Sequence, residues 1–518
     1  MAKQLNDCLR RYQLPKFENK WGDIRRGIEK ESLRVSPNGH ISSSPHPVKL
    51  GSALTNPYIT TDFSEALLEL ITPVSENINE CLQILENIHR FTVQNIDDKE
   101  MLWVTSMPCP LDDDAEIPIA QYGSSNIGKL KNLYRHGLHH RYGSLMQAIA
   151  GIHYNFSMPE VFWKSYKNIC NFDGSIQEFR TKKYLHLIRN FHRYSWLLIY
   201  LFGASPAACK CFTAGRKHDL EKLDEFTLYK PYATCLRMSN LGYKSEAQKS
   251  LFVCYNDLET YVDCLHSAIH TPYDEYTSIG QYFDGEYRQI NTNLLQLENE
   301  FYSTIRPKRN VKPGEKPLEA LTNSGIEYIE VRALDLDPYS SLGINEEQIR
   351  FLDSFLLHCL LADSPDCNEN EFFEVANNVG KVVEHGRNPD LMLDKENSTK
   401  NLKEWSLELI EELSYSACLL DNIHQTTNYH SSLIAQAKKV DNPDLTPSGR
   451  MLTEMQEGNL SFFDFSMKQS RLHHQTLSKA KLDEKALQHL QKISGESLVK
   501  QKKIEDSDEI SFEEFLRQ

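Results

Sequence analysis

Four short segments place acidic, basic or amide side chains at two-residue spacing among apolar neighbours. They are Gly27-Ile-Glu-Lys-Glu-Ser-Leu-Arg-Val35, Ala66-Leu-Leu-Glu-Leu-Ile71, Gly151-Ile-His-Tyr-Asn-Phe-Ser157 and Ile326-Glu-Tyr-Ile-Glu-Val-Arg332. A period of two is that of an extended strand, whose side chains alternate between faces. Glu29 and Glu31 therefore share a face, as do His153, Asn155 and Ser157, and Glu330 with Arg332. Between them, Ile152, Tyr154, Phe156, Ile329 and Val331 supply an apolar face that can pack beneath a sheet. Elsewhere the apolar period lengthens to three and four residues, which predicts helices over 77–94, 128–151 and 182–202. From residue 345 onward the texture is helical throughout, with amphipathic stretches at 346–362, 372–384, 402–422 and 477–492. The acidic stretch from residue 500 reads as a solvated helix or frayed tail. The pattern predicts an α+β fold: a catalytic core over residues 1–345 and a mainly helical region over 346–518 packed on it.

Strands of this kind, side by side, crowd carboxylates on one face. Two carboxylates about 4 Å apart repel by roughly 4 kcal/mol at an effective dielectric of about 20. A cation usually offsets that, so the pattern points to a magnesium site on the face of a sheet. Each residue also has a plainer role. His153 alone would suit a buried core histidine, and Glu330 with Arg332 an internal ion pair. In Thr60-Thr-Asp-Phe-Ser-Glu-Ala-Leu-Leu-Glu-Leu-Ile-Thr-Pro73, Asp62 could cap a helix with Glu65 completing a capping box. Alternatively 66–72 is a strand, with Glu69 facing the site and Asp62 at its approach; the Thr-Pro ending favours the strand. Arg237, in Tyr232-Ala-Thr-Cys-Leu-Arg-Met238, reads as a strand residue whose guanidinium needs a planar anion, from the protein or from a substrate.

The 518-residue chain is 40% hydrophobic and 25% charged, values ordinary for a globular protein. Its net charge of −15 argues against nucleic-acid and anionic-membrane partners. The start lacks the apolar run of a secretory signal, and the longest apolar stretch, Trp196-Leu-Leu-Ile-Tyr-Leu-Phe-Gly-Ala204, reads as a buried helix. The expected location is the cytoplasm, with the twelve cysteines as free thiols. Gly123-Ser-Ser-Asn-Ile-Gly-Lys-Leu130 approaches a phosphate-binding P-loop, but Leu130 stands where a hydroxyl is needed and Pro118 spoils the preceding strand. What survives is a loop whose N–H groups, with Lys129 and Arg135 nearby, could meet anionic oxygens. The segment 303–317, with Arg306-Pro-Lys-Arg309, reads as a functional loop.

Several of these segments also carry a family resemblance. Gly27–Val35, Ile59-Thr-Thr-Asp-Phe-Ser-Glu-Ala-Leu-Leu-Glu-Leu-Ile-Thr-Pro-Val74, Gln121-Tyr-Gly-Ser-Ser-Asn126, Gly151–Ser157, Tyr200-Leu-Phe-Gly-Ala-Ser-Pro206, Ile305-Arg-Pro-Lys-Arg309 and Gly325–Arg332 closely resemble bacterial glutamate–cysteine ligase of the type 1 family. The blocks run in family order over about residues 20–365; Lys30 and Ser32 stand where Arg and Thr are expected. The resemblance implies a catalytic domain similar to that of glutamine synthetase, its antiparallel sheet forming a funnel. It implies ATP-dependent joining of L-glutamate to L-cysteine, the first step of glutathione synthesis. More than one Mg2+ is expected, with Mn2+ as a substitute. Glu29, Glu31, Asp62, Glu69, His153 and Glu330 match the magnesium ligands. Arg237, Tyr243 and Tyr302 match residues that hold cysteine, with Phe63, Tyr134 and Leu138 around its side chain and Gln147 and Asn155 gripping glutamate. Arg332 and Arg135 are the candidate cations on the transferring phosphoryl group. Feedback inhibition by glutathione and a monomeric state complete the expectation. The rivals are a ligase of the same fold for another amine, a metal-dependent phosphohydrolase and an inactive scaffold.

Overall fold

The computed structural model describes residues 22–108, 117–242, 247–248, 251–311, 315–395 and 398–517. The four alternating segments become neighbouring strands of one antiparallel sheet. Its strands are β1 (Arg25–Val35), β2 (Ile59–Thr61), β3 (Leu67–Ile71), β4 (Met101–Leu102), β5 (Ile152–Ser157), β6 (Ile305–Lys308) and β7 (Tyr328–Leu334). The spatial order is β6-β7-β5-β1-β3-β2, with β4 pairing the far end of β1. The sheet and the helices around it make the fold α+β.

Apolar residues between the ionisable ones form the opposite face, where Ile28, Leu68, Leu70, Ile152, Tyr154, Phe156, Ile329 and Val331 are fully buried. Helices Ile78–Val93, Ile176–Phe202 and Glu346–Leu361 cover it, and the last two pack on each other through Phe191 against Phe355 and Phe202 against Phe351. The long apolar stretch at 196–202 is the buried end of that helix. Trp196 in turn meets Trp405 of helix Leu402–His424, and one apolar core extends from Ile24 to Leu490. Among the described residues no helix is long and apolar enough to cross a membrane.

Three buried cations of β1 interrupt the apolar face: Arg26, Lys30, whose Nζ lies 2.9 Å from His89 Nε2, and Arg34, paired with Glu100. Arg26 reaches the covering helix. Its Nη2 lies 2.9 Å from Asp353 Oδ2, both side chains are buried, and Tyr154 donates to Asp353 Oδ1 at 2.6 Å. This triad joins β1, β5 and helix 346–361. That helix begins in a capping box: Asn345 Oδ1 accepts from Gln348 N, and Gln348 Oε1 from Asn345 N, both at 3.0 Å. Asn345→Ala should therefore cost about 1 kcal/mol, read from the midpoint of urea unfolding.

Three expectations need correction. The helix expected over 128–151 is Asn126–Tyr142, because Gly143 turns to φ +79° and only the short helix Ser144–Gln147 follows. The helix expected over 477–492 straddles two, Phe462–Lys479 and Glu484–Asp506, the second started by the Asp483 side chain. Arg237 lies in a 3-10 turn, Leu236–Met238, not a strand; its N–H donates to Ser205 Oγ at 3.3 Å. The choice at Asp62 falls to the strand. Glu65 caps no helix, but accepts from His46 N and Gln121 N and so ties two loops together.

Candidate active site

Directly opposed residues of antiparallel strands share a face, so pairing turns isolated polar positions into a continuous ionisable surface. The register sets Glu69 opposite Glu31, Glu29 opposite His153, and Glu330 opposite both Asn155 and Arg306. His153 is the hub. Its Nδ1 lies 3.3 Å from Glu29 Oε2, 3.5 Å from Glu330 Oε1 and 3.9 Å from Glu69 Oε1, and its Nε2 lies 3.6 Å from Glu31 Oε1. Asn155 donates to Glu29 Oε1 at 2.7 Å, and Gly151 N to Glu31 Oε2 at 2.6 Å. Arg332 Nη1 sits 3.1 Å from Glu330 Oε1 and 3.4 Å from His153 Nδ1, beside an irregularity in the β5–β7 register. The ion pair expected as an alternative for Glu330 and Arg332 thus exists, and it forms part of the same cluster.

Asp62 stands at the end of β2, close enough for its charge to act on Glu31, Glu69 and Arg332. Its carbonyl accepts from Arg135 Nε and from Tyr122 OH. Arg135 also lies over the Tyr122 ring, 4.6 Å from its centroid, and among the described residues it pairs with no carboxylate. It therefore belongs to the approach rather than to the cluster itself.

Burial, reinforced by Glu29, Asp62 and Glu31, pushes the Glu69 carboxyl well above its usual range. Burial also raises Glu31, with Asp62 adding to it. Glu330 moves the other way: burial opposes its charge, but Lys308 and Arg332 outweigh that and hold it below the carboxylate range. Burial opposes the charge of Glu29 too, and the hydrogen bond and charge of His153, together with Lys308, outweigh it. The raised Glu31 and Glu69 carboxyls mark a crowding of negative charge that a cation would relieve.

The donors fit a hard divalent cation. One ligand atom each of Glu29, Glu69 and His153 lie within 4.8 Å of one another. Glu330 Oε2 is buried and among the described residues accepts no hydrogen bond, with Lys308 Nζ 3.5 Å away. An oxygen-rich set suits magnesium or manganese, and the single imidazole is compatible with the latter.

A cavity of about 280 Å³ opens on Glu31, His153 and Arg332 and continues past Arg237 and Tyr302. Arg237 finds its planar anion within the protein: its Nε donates to the buried Asp335 Oδ1 at 2.6 Å. Gln147 donates to Tyr302 OH at 3.0 Å. Tyr134 and Leu138 lie with Arg135 on helix 126–142, and Phe63 follows Asp62 in a buried position. Tyr243 lies outside the described residues. The sequence reading missed Lys308, because Pro307 made 303–317 look like a loop; Arg306 and Lys308 are nonetheless two apart on an edge strand, the same signal that marked β1. In the P-loop-like segment, the N–H groups do meet anionic oxygens, but those of Glu505 and Asp508.

The family model for glutamate–cysteine ligase matches residues 10–382. The chain belongs to the glutamate–cysteine ligase family. Curated glutamate–cysteine ligases from Saccharophagus degradans and Alcanivorax borkumensis are 50% and 48% identical, each over 498 residues. The first alignment spans 96% of this chain and 94% of its relative, the second 95% of both. The crystal structure of glutamate–cysteine ligase from Francisella tularensis in complex with AMP superposes with a TM-score of 0.91 at 36% identity, over 97% of this chain and 98% of that one. A bifunctional glutathione synthetase from Pasteurella multocida matches 88% of this chain with 53% of its own, at 25% identity and a TM-score of 0.68. Membership of the ligase family makes this chain an enzyme, and the similarity reaches through the C-terminal helices.

Proposed function

We propose that this enzyme joins the γ-carboxylate of L-glutamate to the amine of L-cysteine at the expense of ATP, the first step of glutathione synthesis. The observation that carries the proposal is the cluster of five carboxylates, His153 and Arg332 on one sheet face, at the mouth of a cavity, in a chain of this family. AMP in the Francisella relative supports a nucleotide site, and the antiparallel sheet is compatible with a glutamine synthetase-like catalytic fold.

A free carboxylate does not acylate an amine in water, because its oxygen is a poor leaving group. In the proposed sequence a γ-carboxylate oxygen of glutamate attacks the γ-phosphorus, the bond to the bridging oxygen of ADP breaks, and γ-glutamyl phosphate forms. The cysteine nitrogen then attacks the acyl carbon, phosphate leaves with the C–O bond pair, and the nitrogen gives up a proton. The protein's contribution is positioning and charge. Glu29, Glu31, Asp62, Glu69, His153 and Glu330 would hold Mg2+, with Mn2+ as a substitute, and the bound cation would neutralise triphosphate charge. Arg332 faces the transferring group, and Arg135 orients Asp62 at the approach. Asn155 and Gln147 hold glutamate. Arg237, fixed by Asp335, and Tyr302, fixed by Gln147, hold cysteine, with Phe63, Tyr134 and Leu138 lining its side chain.

The test is ADP release by the purified protein with magnesium and ATP, omitting each amino acid in turn. Release should require glutamate and cysteine together and yield a γ-glutamyl dipeptide. Release with neither amino acid would make the protein a phosphohydrolase. A preference for another amine over cysteine would change the substrate within the same fold.

A further inference from the structure

The approach to the carboxylate face rests on parts that the sheet alone does not hold. β2 is a three-residue edge strand. Its outer side is tied to the loop before it: Thr60 Oγ1 donates to Ala53 O at 2.6 Å, and Asn56 Oδ1 accepts from Tyr58 N at 2.9 Å. Beyond β2, Tyr122 OH reaches the carbonyls of Thr61 and Asp62 at 2.9 and 3.0 Å, and Arg135 reaches that of Asp62. Asn132 Nδ2 donates to Ala120 O at 2.9 Å. The loop at 51–56, the end of β2, the loop at 119–125 and helix 126–142 are thus one linked unit around Asp62.

Helix Glu484–Asp506 and the residues after it cross the outside of this unit at two points. At the first, Ser497 Oγ accepts from Ser52 N at 2.9 Å and the Ser497 carbonyl accepts from Thr55 Oγ1. The approach is close: a Cβ added to Gly51, which has φ +88°, would lie 2.4 Å from Ser497 Oγ and 2.9 Å from Ser494 Cα. At the second, Glu505 Oε1 accepts from Ser124 N at 2.9 Å and Asp508 Oδ2 from Asn126 N at 2.6 Å. Asn126 Nδ2 donates to Ile510 O at 2.9 Å, and Phe512 lies under Lys129. Carboxylates at the start of helix 126–142 satisfy N–H groups that the helix leaves open and complement its dipole.

We propose that the C-terminal segment 484–512 is a splint that positions Asp62 and Arg135, with Glu505 and Asp508 as its anchoring carboxylates. The assignment of these two as positioning residues rests on the ligase reading above. Neither touches the cluster; both act through the loop at 119–125 and helix 126–142. A competing reading places the same carboxylates where a substrate phosphate would otherwise bind, and it makes the opposite prediction.

The double variant Glu505→Ala/Asp508→Ala is compared with Glu505→Gln/Asp508→Asn, whose amide oxygens can still accept the same N–H groups. With both amino acids saturating and magnesium–ATP varied, the alanine pair should raise KM for ATP about tenfold and leave kcat within about twofold. The amide pair should stay near the parent. Hydrogen–deuterium exchange over 59–62 and 126–135 should quicken in the alanine pair alone. An unchanged or lowered KM, equal loss in the amide pair, or unchanged exchange would each overturn the splint. A parent enzyme whose ADP release ignores glutamate and cysteine would overturn the ligase reading instead, and the exchange measurement would still decide the splint.

Discussion

Arg332→Ala should fold as the parent does and lose a factor of about 100 or more in turnover. The side chain is held between Glu330 and His153, at the rim where the cavity meets the carboxylate cluster. Burial works against its charge, but Glu330, Glu31, Glu29 and Asp62 together keep the guanidinium protonated. In the proposed mechanism it is a fixed cation facing the γ-phosphoryl group. A positioned charge of this kind typically supplies about 3 kcal/mol to the barrier. The fold should tolerate the loss for two reasons. The Arg332 N–H bonds Thr304 O at 2.8 Å whatever the side chain, and Glu330 keeps Lys308 beside it. The check pairs kcat from ADP release with a thermal melt. Turnover near the parent's in a folded variant would remove Arg332 from the mechanism.

Asp353→Ala should cost about 3–5 kcal/mol of stability, the largest loss expected from a single substitution away from the cluster. Arg26 and Asp353 are both taken out of water, and most of the pair's other contacts are met: Tyr154 donates to Asp353, and Arg26 Nη1 donates to Glu76 O at 2.7 Å, while Arg26 Nε finds no acceptor among the described residues. Removing the carboxylate strands a guanidinium beneath the sheet and leaves the Tyr154 hydroxyl without its acceptor. Urea unfolding measures the loss directly. A cost under about 1 kcal/mol would mean that water or a neighbouring carbonyl replaces the carboxylate easily. Below its melting temperature the variant should keep most of its turnover, since the triad lies behind the sheet.

Much of the cluster was legible because two-residue spacing is a local signal. Glu29, Glu31, Glu69, His153, Asn155, Glu330 and Arg332 could be placed on strand faces with no knowledge of their neighbours. Which strand lies beside which is a tertiary fact, and the opposition of Glu31 to Glu69 or of Glu29 to His153 appears only with the register. The misreadings share one cause. Arg237 sits in an apolar run that suggests a strand, yet a buried partner, Asp335, fixes it in a turn. The helix break at Gly143 depends on a positive φ, and the break before residue 484 is marked in the sequence only by a capping aspartate that also suits a solvated surface. Glu505 and Asp508 look like ordinary surface acids, because nothing local tells that Ser124 and Asn126 lie opposite them.

The register also orders events during synthesis. The ionisable face draws one strand from near residue 30, one from near 70, one from near 155 and one from near 330, and the central strand β1 is made first but acquires its partners on both sides over that whole length. Such a face is dominated by long-range closure, so its pairing should be slow beside the formation of the helices. A ribosome-bound fragment that ends before β7 has Glu29, Glu31 and Glu69 but neither Glu330 nor Arg332. The half-made protein therefore carries acids without Glu330 and Arg332, and under the proposed mechanism nucleotide consumption would have to wait until the growing chain has closed its sheet.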